Sequence, residues 1–151
     1  MKIRHAHEGD ILALARATAT QPLLVRYGVT EAGLARELGR ALAAEDGLLV
    51  AEGEALLGFA WFLRRGAFGR DGFLKLIAVV PGGESRGVGR ALLEAVERAV
   101  AADARHLFLM VSDFNQAAQR FYQRAGYVQG GAFPGFIKPD ITELLFYRRL
   151  K

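Results

Sequence analysis

The sequence predicts an α+β domain: a mixed, mostly antiparallel sheet of about seven strands with helices on both faces. Three observations predict it. Apolar runs of strand length stand near both ends and through the middle of the chain. Longer segments carry apolar residues at helical spacing between them. The two kinds follow one another in the order β-α-α-β-β-β-α-β-α-β-β, which puts hairpins in the middle and crossovers later.

Each element has its own signal. Residues 2–6 read as a short opening strand. Residues 10–18 place Ile11, Leu14 and Ala15 on one helical face, with Asp10 as the cap and Gln21-Pro22 as the break. Residues 30–46 repeat Leu34, Leu38 and Leu42 behind a Thr30 N-cap. From Gly47 the period changes, and residues 47–63 read as two strands hinged near Gly53. Residues 66–72 are turn-rich. Residues 73–80 form an apolar run interrupted by Lys75, as expected of a central strand ending at Pro81-Gly82-Gly83. Residues 91–101 bury Leu92, Leu93, Val96 and Val100 along one helical side. Residues 107–111 are a buried strand, and 115–125 a helix stopped by Gly126. A strand starts at 127–129, a loop covers 130–139, and 141–147 is the last strand.

Bulk composition excludes several chemistries. The chain has 151 residues, a size for one domain, residues 1–151. It is 52% hydrophobic and lacks cysteine, so disulfides, thiolate nucleophiles and thiolate metal sites are ruled out. No bound metal is expected. No leader, lipidation signal or long apolar run is visible, and a soluble cytoplasmic protein away from membranes is the expectation. The net charge of +4 is carried by dispersed arginines without interleaved aromatics, which argues against nucleic-acid binding.

Two segments carry chemistry. The first is IAVVPGGESRGVGRALL: a strand, a glycine-rich turn and a helix start. The first N–H groups of a helix lack internal partners, and its dipole favours an anion there. Gly87 and Gly89 remove β-carbons, so phosphate oxygens can approach the backbone. The Gly-Lys-Ser/Thr of a P-loop and the third glycine of a dinucleotide fingerprint are both missing. The second segment is NQAAQRFYQRAGY, with Asn115 near the helix cap and Tyr122 beside Phe121. Neighbours on a helix diverge by about 100°. Phe121 can enter the core while Tyr122 faces a cleft. A phenol of pKa ~10 keeps its proton at neutral pH and can donate it.

Together, in this order, the two segments resemble the core motifs of the GCN5-related N-acetyltransferases. The architecture resembles that family over the whole chain; the specific motifs occupy about 77–93 and 115–127. The resemblance implies a sheet splayed between its fourth and fifth strands, here 73–80 and 107–111. It implies acetyl-CoA as co-substrate. Backbone groups of Ser85, Arg86, Gly87, Val88, Gly89 and Arg90 would hold the pyrophosphate. Ile77, Ala78 and Val79 would pair with the pantetheine arm, a backbone N–H near Val79 would polarise the thioester carbonyl, and Asn115 and Tyr122 would also contact the cofactor. Tyr122 would be the catalytic acid for the departing thiolate, and Tyr127 a packing aromatic. The acceptor is expected to be an amine of a small molecule or peptide, and a homodimer through the final strand is a family-level expectation. Glu84 departs from the family's loop, where Gln or Arg is usual, and puts a carboxylate near the expected pyrophosphate.

The base stays open. Deprotonating an amine of pKa ~10.4 at pH 7 costs about 4.6 kcal/mol. Where one branch of the family carries a glutamate on the fifth strand, this chain has Met110. Asp113, Asp71, Glu31, His5 and His7 are the remaining candidates, each a surface or capping group by its setting. The acceptor walls implied by the resemblance contain Tyr27, Phe68, Phe133 and Phe136, with Arg26 and Arg70, and are expected to be apolar and cationic. The alternative function is a catalytically weak acyl-CoA sensor of the same fold, motivated by Glu84 and the missing base.

Overall fold

The structure, a computed structural model, describes residues 1–151 with the exception of Ser85. The described residues form strands β1 (Lys2–His5), β2 (Gly47–Glu52), β3 (Leu56–Ala67), β4 (Asp71–Val79), β5 (His106–Ser112), β6 (Val128–Pro134) and β7 (Thr142–Arg149). They make one sheet in the order β1-β2-β3-β4-β5-β7-β6. Every neighbouring pair is antiparallel except β4–β5, which is parallel. Helices α1 (Ile11–Thr18), α2 (Pro22–Arg26) and α3 (Glu31–Ala43) precede the hairpins, while α4 (Val88–Ala101) and α5 (Gln116–Arg124) follow β4 and β5.

Strand alternation builds two cores. Leu48 and Val50 of β2 join Leu14, Leu34 and Leu38 in one apolar layer. Leu49 and Ala51 face the other way, onto Leu92, Leu93 and Val96 of α4. Side chains one residue apart point to opposite faces, so a single strand feeds both layers.

The feature that positions the site is where β4 and β5 stop pairing. They meet only at Gly72–Leu107, Phe73–Phe108 and Leu74–Leu109. The next residue, Lys75, also lacks a partner in β3, because Trp61 pairs with Leu76 and Phe62 with Leu74. An extra residue bends its strand and sharpens the twist. β4 therefore turns away, while β5 stays paired to β7 through Ser112–Glu143. The sheet is splayed between its fourth and fifth strands.

Several local expectations are corrected. Asp10 does not cap α1. It ends a short 3-10 turn, accepts from the His7 N–H at 2.9 Å and pairs with Arg4 at 2.8 Å. Thr30 does cap α3, accepting from the Gly33 N–H at 3.0 Å. The break at Gln21-Pro22 holds, since α1 ends at Thr18, but Pro22 also opens α2, a helix too short to show a period. The turn-rich 66–72 is mostly strand: Ala67 pairs with Asp71 around a turn in which Phe68 and Gly69 have positive φ. The supposed loop at 130–139 is strand up to Pro134, with a bulge between Gln129 and Gly131. The final strand, β7, is enclosed by β5 and β6 and has no free edge; the edges of the sheet are β1 and β6.

Candidate active site

Beyond Leu74 and Leu109 the parted strands border a cleft of about 960 Å³. β4 contributes Lys75, Leu76 and Ile77, β5 contributes Met110 to Ser112, α5 contributes Ala118 and Tyr122, and β7 contributes Glu143. The α1–α3 region closes it with Leu23, Tyr27 and Arg36.

The N-terminus of α4 is shaped by Gly87, which sits at φ 77 and offers no side-chain cap. A left-handed residue there favours glycine. Among the described residues, and its own chain neighbours and helix backbone apart, no heavy atom lies within 4 Å of where its Cβ would stand, so the turn is open above. The geometry fits an anion approaching the backbone at a helix start. Val88 is buried beneath it, and a Cβ on Gly89 would meet the Phe121 ring at 3.5 Å. Phe121 thus packs α5 directly under the glycine turn. Arg86 is exposed, and Arg90 pairs with Glu94 of its own helix at 2.9 Å. Ser85 lies outside the described residues. Glu84 turns back on the preceding turn: its Oε2 accepts from the Gly82 N–H at 2.9 Å.

On β4, Ile77 lines the cleft and Ala78 is buried in the layer facing α1 and α3. The Val79 carbonyl accepts from the Gln21 side-chain amide. Asn115 caps α5, its Oδ1 accepting from the Ala118 N–H at 3.1 Å, and it also lines the cleft. The Tyr122 ring stands edge-on to Phe121 and to Tyr127, at centroid distances of 5.1 and 5.7 Å. Its hydroxyl has no protein partner among the described residues, yet no sealed side-chain oxygen lacks one. The hydroxyl therefore opens on the cleft, and burial of the ring pushes the phenol's pKa up. Tyr127 is 2% exposed, and its hydroxyl donates to Glu97 at 2.7 Å, as expected of a packing residue.

None of the base candidates lines the cleft. Asp71 accepts from the Arg105 and His106 N–H groups at 2.9 and 3.0 Å, tying β4 to the start of β5. Burial alone would raise its carboxyl, but these donors outweigh burial and hold it below the ordinary range. Glu31 lies near Arg16, His7 near Asp10, His5 is on the far strand β1, and Asp113 is exposed. Of the expected acceptor walls, Tyr27 and Phe136 line the cleft. Arg26 lies over Phe114, Phe68 packs on Phe108, and Phe133 packs on Phe136.

The residue that sequence reasoning missed is Glu143. It is 4% exposed, lines the cleft and faces Ser112 across β5–β7. The Tyr27 hydroxyl donates to its Oε2 and lies beside the Ser112 hydroxyl. Desolvation first, then the Glu143 hydrogen bond, push the Tyr27 phenol up to about 12. The wall is therefore not simply apolar and cationic: Lys75 and Arg36 line it, with a buried carboxylate among them. The available signal was a lone acid inside the apolar strand ITELLFY.

A sheet splayed between its fourth and fifth strands, with an open glycine turn at a helix start, is the architecture that the resemblance to the N-acetyltransferases implied. The acetyltransferase (GNAT) family model matches residues 11–127, and the chain belongs to that family. Among solved structures it is similar to Ard1 from Thermoplasma volcanium (25% identity, TM-score 0.79, covering 98% of this chain and 96% of that one). It also resembles a ribosomal-protein-alanine N-acetyltransferase from Brucella melitensis (23%, TM-score 0.74, 99% and 99%). An aminoglycoside 6'-N-acetyltransferase complexed with coenzyme A aligns at 16% identity and TM-score 0.79, covering 100% and 98%. No curated protein matches the sequence. No helix among the described residues is long and apolar enough to cross a membrane, and none of their His, Asp and Glu side chains cluster as a metal site.

Proposed function

We propose that residues 1–151 form a single cytoplasmic N-acetyltransferase domain that moves the acetyl group of acetyl-CoA to a primary amine of a small molecule or peptide. The observation that carries this reading is the Tyr122 hydroxyl, free of protein partners and open to the cleft where β4 and β5 part. The pyrophosphate would lie over the open turn at Gly87, held by backbone groups from Ser85 to Arg90, and the pantetheine arm along Ile77, Ala78 and Val79 and past Asn115. Gln21 would release the Val79 carbonyl as the arm arrives. The amine attacks the thioester carbonyl directly, the C–S bond breaks, and Tyr122 donates its proton as charge develops on sulfur. A phenol with a raised pKa stays protonated in the resting site, which a proton donor requires. A homodimer, if edge-paired, would use β1 or β6 rather than the enclosed final strand.

The rival reading is a catalytically weak acyl-CoA sensor. Its two motives were Glu84 and the missing base. Glu84 is engaged by the Gly82 N–H, and a carboxylate does lie in the cleft. The two readings separate in a thiol-release assay with acetyl-CoA and an amine panel, run on wild type and Tyr122→Phe. The enzyme reading expects turnover in wild type and a loss of about 100-fold or more in the variant with coenzyme A binding retained. Coenzyme binding without turnover for any amine would favour the sensor.

A further inference from the structure

Glu143 is an unusual group for a stable fold. It is a carboxylate 4% exposed, and among the described residues no cation pairs with it. Its one protein donor is the neutral Tyr27 hydroxyl, which binds Oε2. Oε1 has no partner, and because no sealed side-chain oxygen is left unsatisfied, Oε1 opens on the cleft. A carboxylate buried without a counter-charge is unfavourable, so this residue is a poor choice for the fold alone. A cation arriving from the cleft would complete the arrangement. The surrounding surface limits what that cation is attached to. Leu23, Phe136 and Ile137 offer apolar contact, Lys75 and Arg36 would repel a second positive charge, and the other lining carboxylate, Glu37, is paired with Arg40 at 2.9 Å.

Building on the acyl-transfer reading above, we propose that Glu143, held by Tyr27, whose hydroxyl in turn meets that of Ser112, receives the ammonium group of a primary monoamine with an apolar body and is the proton acceptor that frees its lone pair. One ammonium proton passes to Oε1. The freed lone pair forms the N–C bond to the thioester carbonyl as the C–S bond breaks. Tyr122 gives its proton to sulfur, and the second proton leaving nitrogen restores the phenol through water. Glu143 returns its proton to solvent, so ammonium and thioester become amide, thiol and one proton. Tyr27 is a positioning residue: it fixes the carboxylate through Oε2 and leaves Oε1 to the amine.

The test pairs 2-phenylethylamine and related alkyl and aryl monoamines with O-benzylhydroxylamine, whose nitrogen is already unprotonated at neutral pH. In Glu143→Gln, kcat/KM for the protonated amines should fall about 100-fold or more, while the oxyamine should lose less than about 5-fold. Tyr27→Phe should lose about 10-fold with the protonated amines, again sparing the oxyamine. Equal losses with both classes, or no loss with either, would overturn the assignment. Calorimetric binding of 2-phenylethylammonium to the coenzyme A-loaded protein gives a readout independent of turnover. It should weaken at least about 10-fold in Glu143→Gln. Binding that depends on Glu143 without turnover would remove the transferase reading and keep the ammonium site. Binding indifferent to Glu143 would remove the site.

Discussion

One carboxylate stands near each end of the β4–β5 seam, Asp71 on β4 and Glu143 on the neighbouring β7, and the two are treated oppositely. At the closed end, Asp71 accepts from two backbone N–H groups and lies 3.2 Å from the His106 ring nitrogen. At the open end, Glu143 accepts from one phenol and keeps an oxygen for the cleft. A saturated carboxylate fastens strands together. An unsaturated, buried one leaves an acceptor facing the cleft. The same contrast runs along the backbone: three residue pairs join the strands, then the Lys75 bulge ends the pairing. The closed end spends its hydrogen bonds on stability and the open end leaves them available.

Mutations should respect that division. The largest effect is expected at the open end. Tyr122→Phe should cost about 100-fold in kcat, or ~2.7 kcal/mol at the transition state, with the melting temperature nearly unchanged. A parallel loss of stability would show that the phenol is structural and blur the comparison. Next comes the closed end. A Cβ at Gly72 would stand 2.5 Å from a Val100 methyl carbon, where α4 meets the strand pair. Gly72→Ala should destabilise by about 1–3 kcal/mol in denaturant titrations, with kcat of the remaining folded protein preserved.

Asp71→Asn should have a smaller effect, about 1 kcal/mol, since an amide oxygen still accepts from the two N–H groups but the charge is lost. Its sign with pH is fixed. The folded carboxyl lies below its ordinary value, so its contribution is complete above about pH 3.9 and is lost as pH falls through the lower folded value. The stability gap between wild type and Asp71→Asn should therefore close on acidification and stay constant near neutrality. A gap that widened in acid would contradict the clamp. Least of all, Arg90→Ala should shift stability by under about 0.5 kcal/mol, because its pair with Glu94 is solvent-exposed. A large loss of coenzyme A affinity in that variant would show that the Arg90 side chain, as well as the backbone, contacts the phosphates.

What was legible in the sequence follows the same logic of locality. The Gly87 turn, the Asn115 cap and the Thr30 cap are made by residues a few positions apart, and each is written in a short motif. The adjacency of Phe121 and Tyr122 fixed their divergence on α5. The Tyr27–Glu143–Ser112 cluster joins groups 116 and 85 positions apart, brought together only by the β5–β7 register and by the fold of the α2 region. No local pattern encodes that meeting, so the acid in ITELLFY went unread. α2 escaped because five residues show no period. β6 escaped because Gly130 and Gly131 erase strand alternation, although a Gly130 Cβ would lie 3.0 Å from the Tyr147 ring, so a side chain there would require that ring to shift.

A crystal structure with acetyl-CoA bound tests the central claim most directly. The thioester sulfur should lie within hydrogen-bonding reach of the Tyr122 hydroxyl, with the pantetheine arm between β4 and β5 and the pyrophosphate over Gly87. Coenzyme bound elsewhere, or a sulfur remote from that phenol, would contradict it.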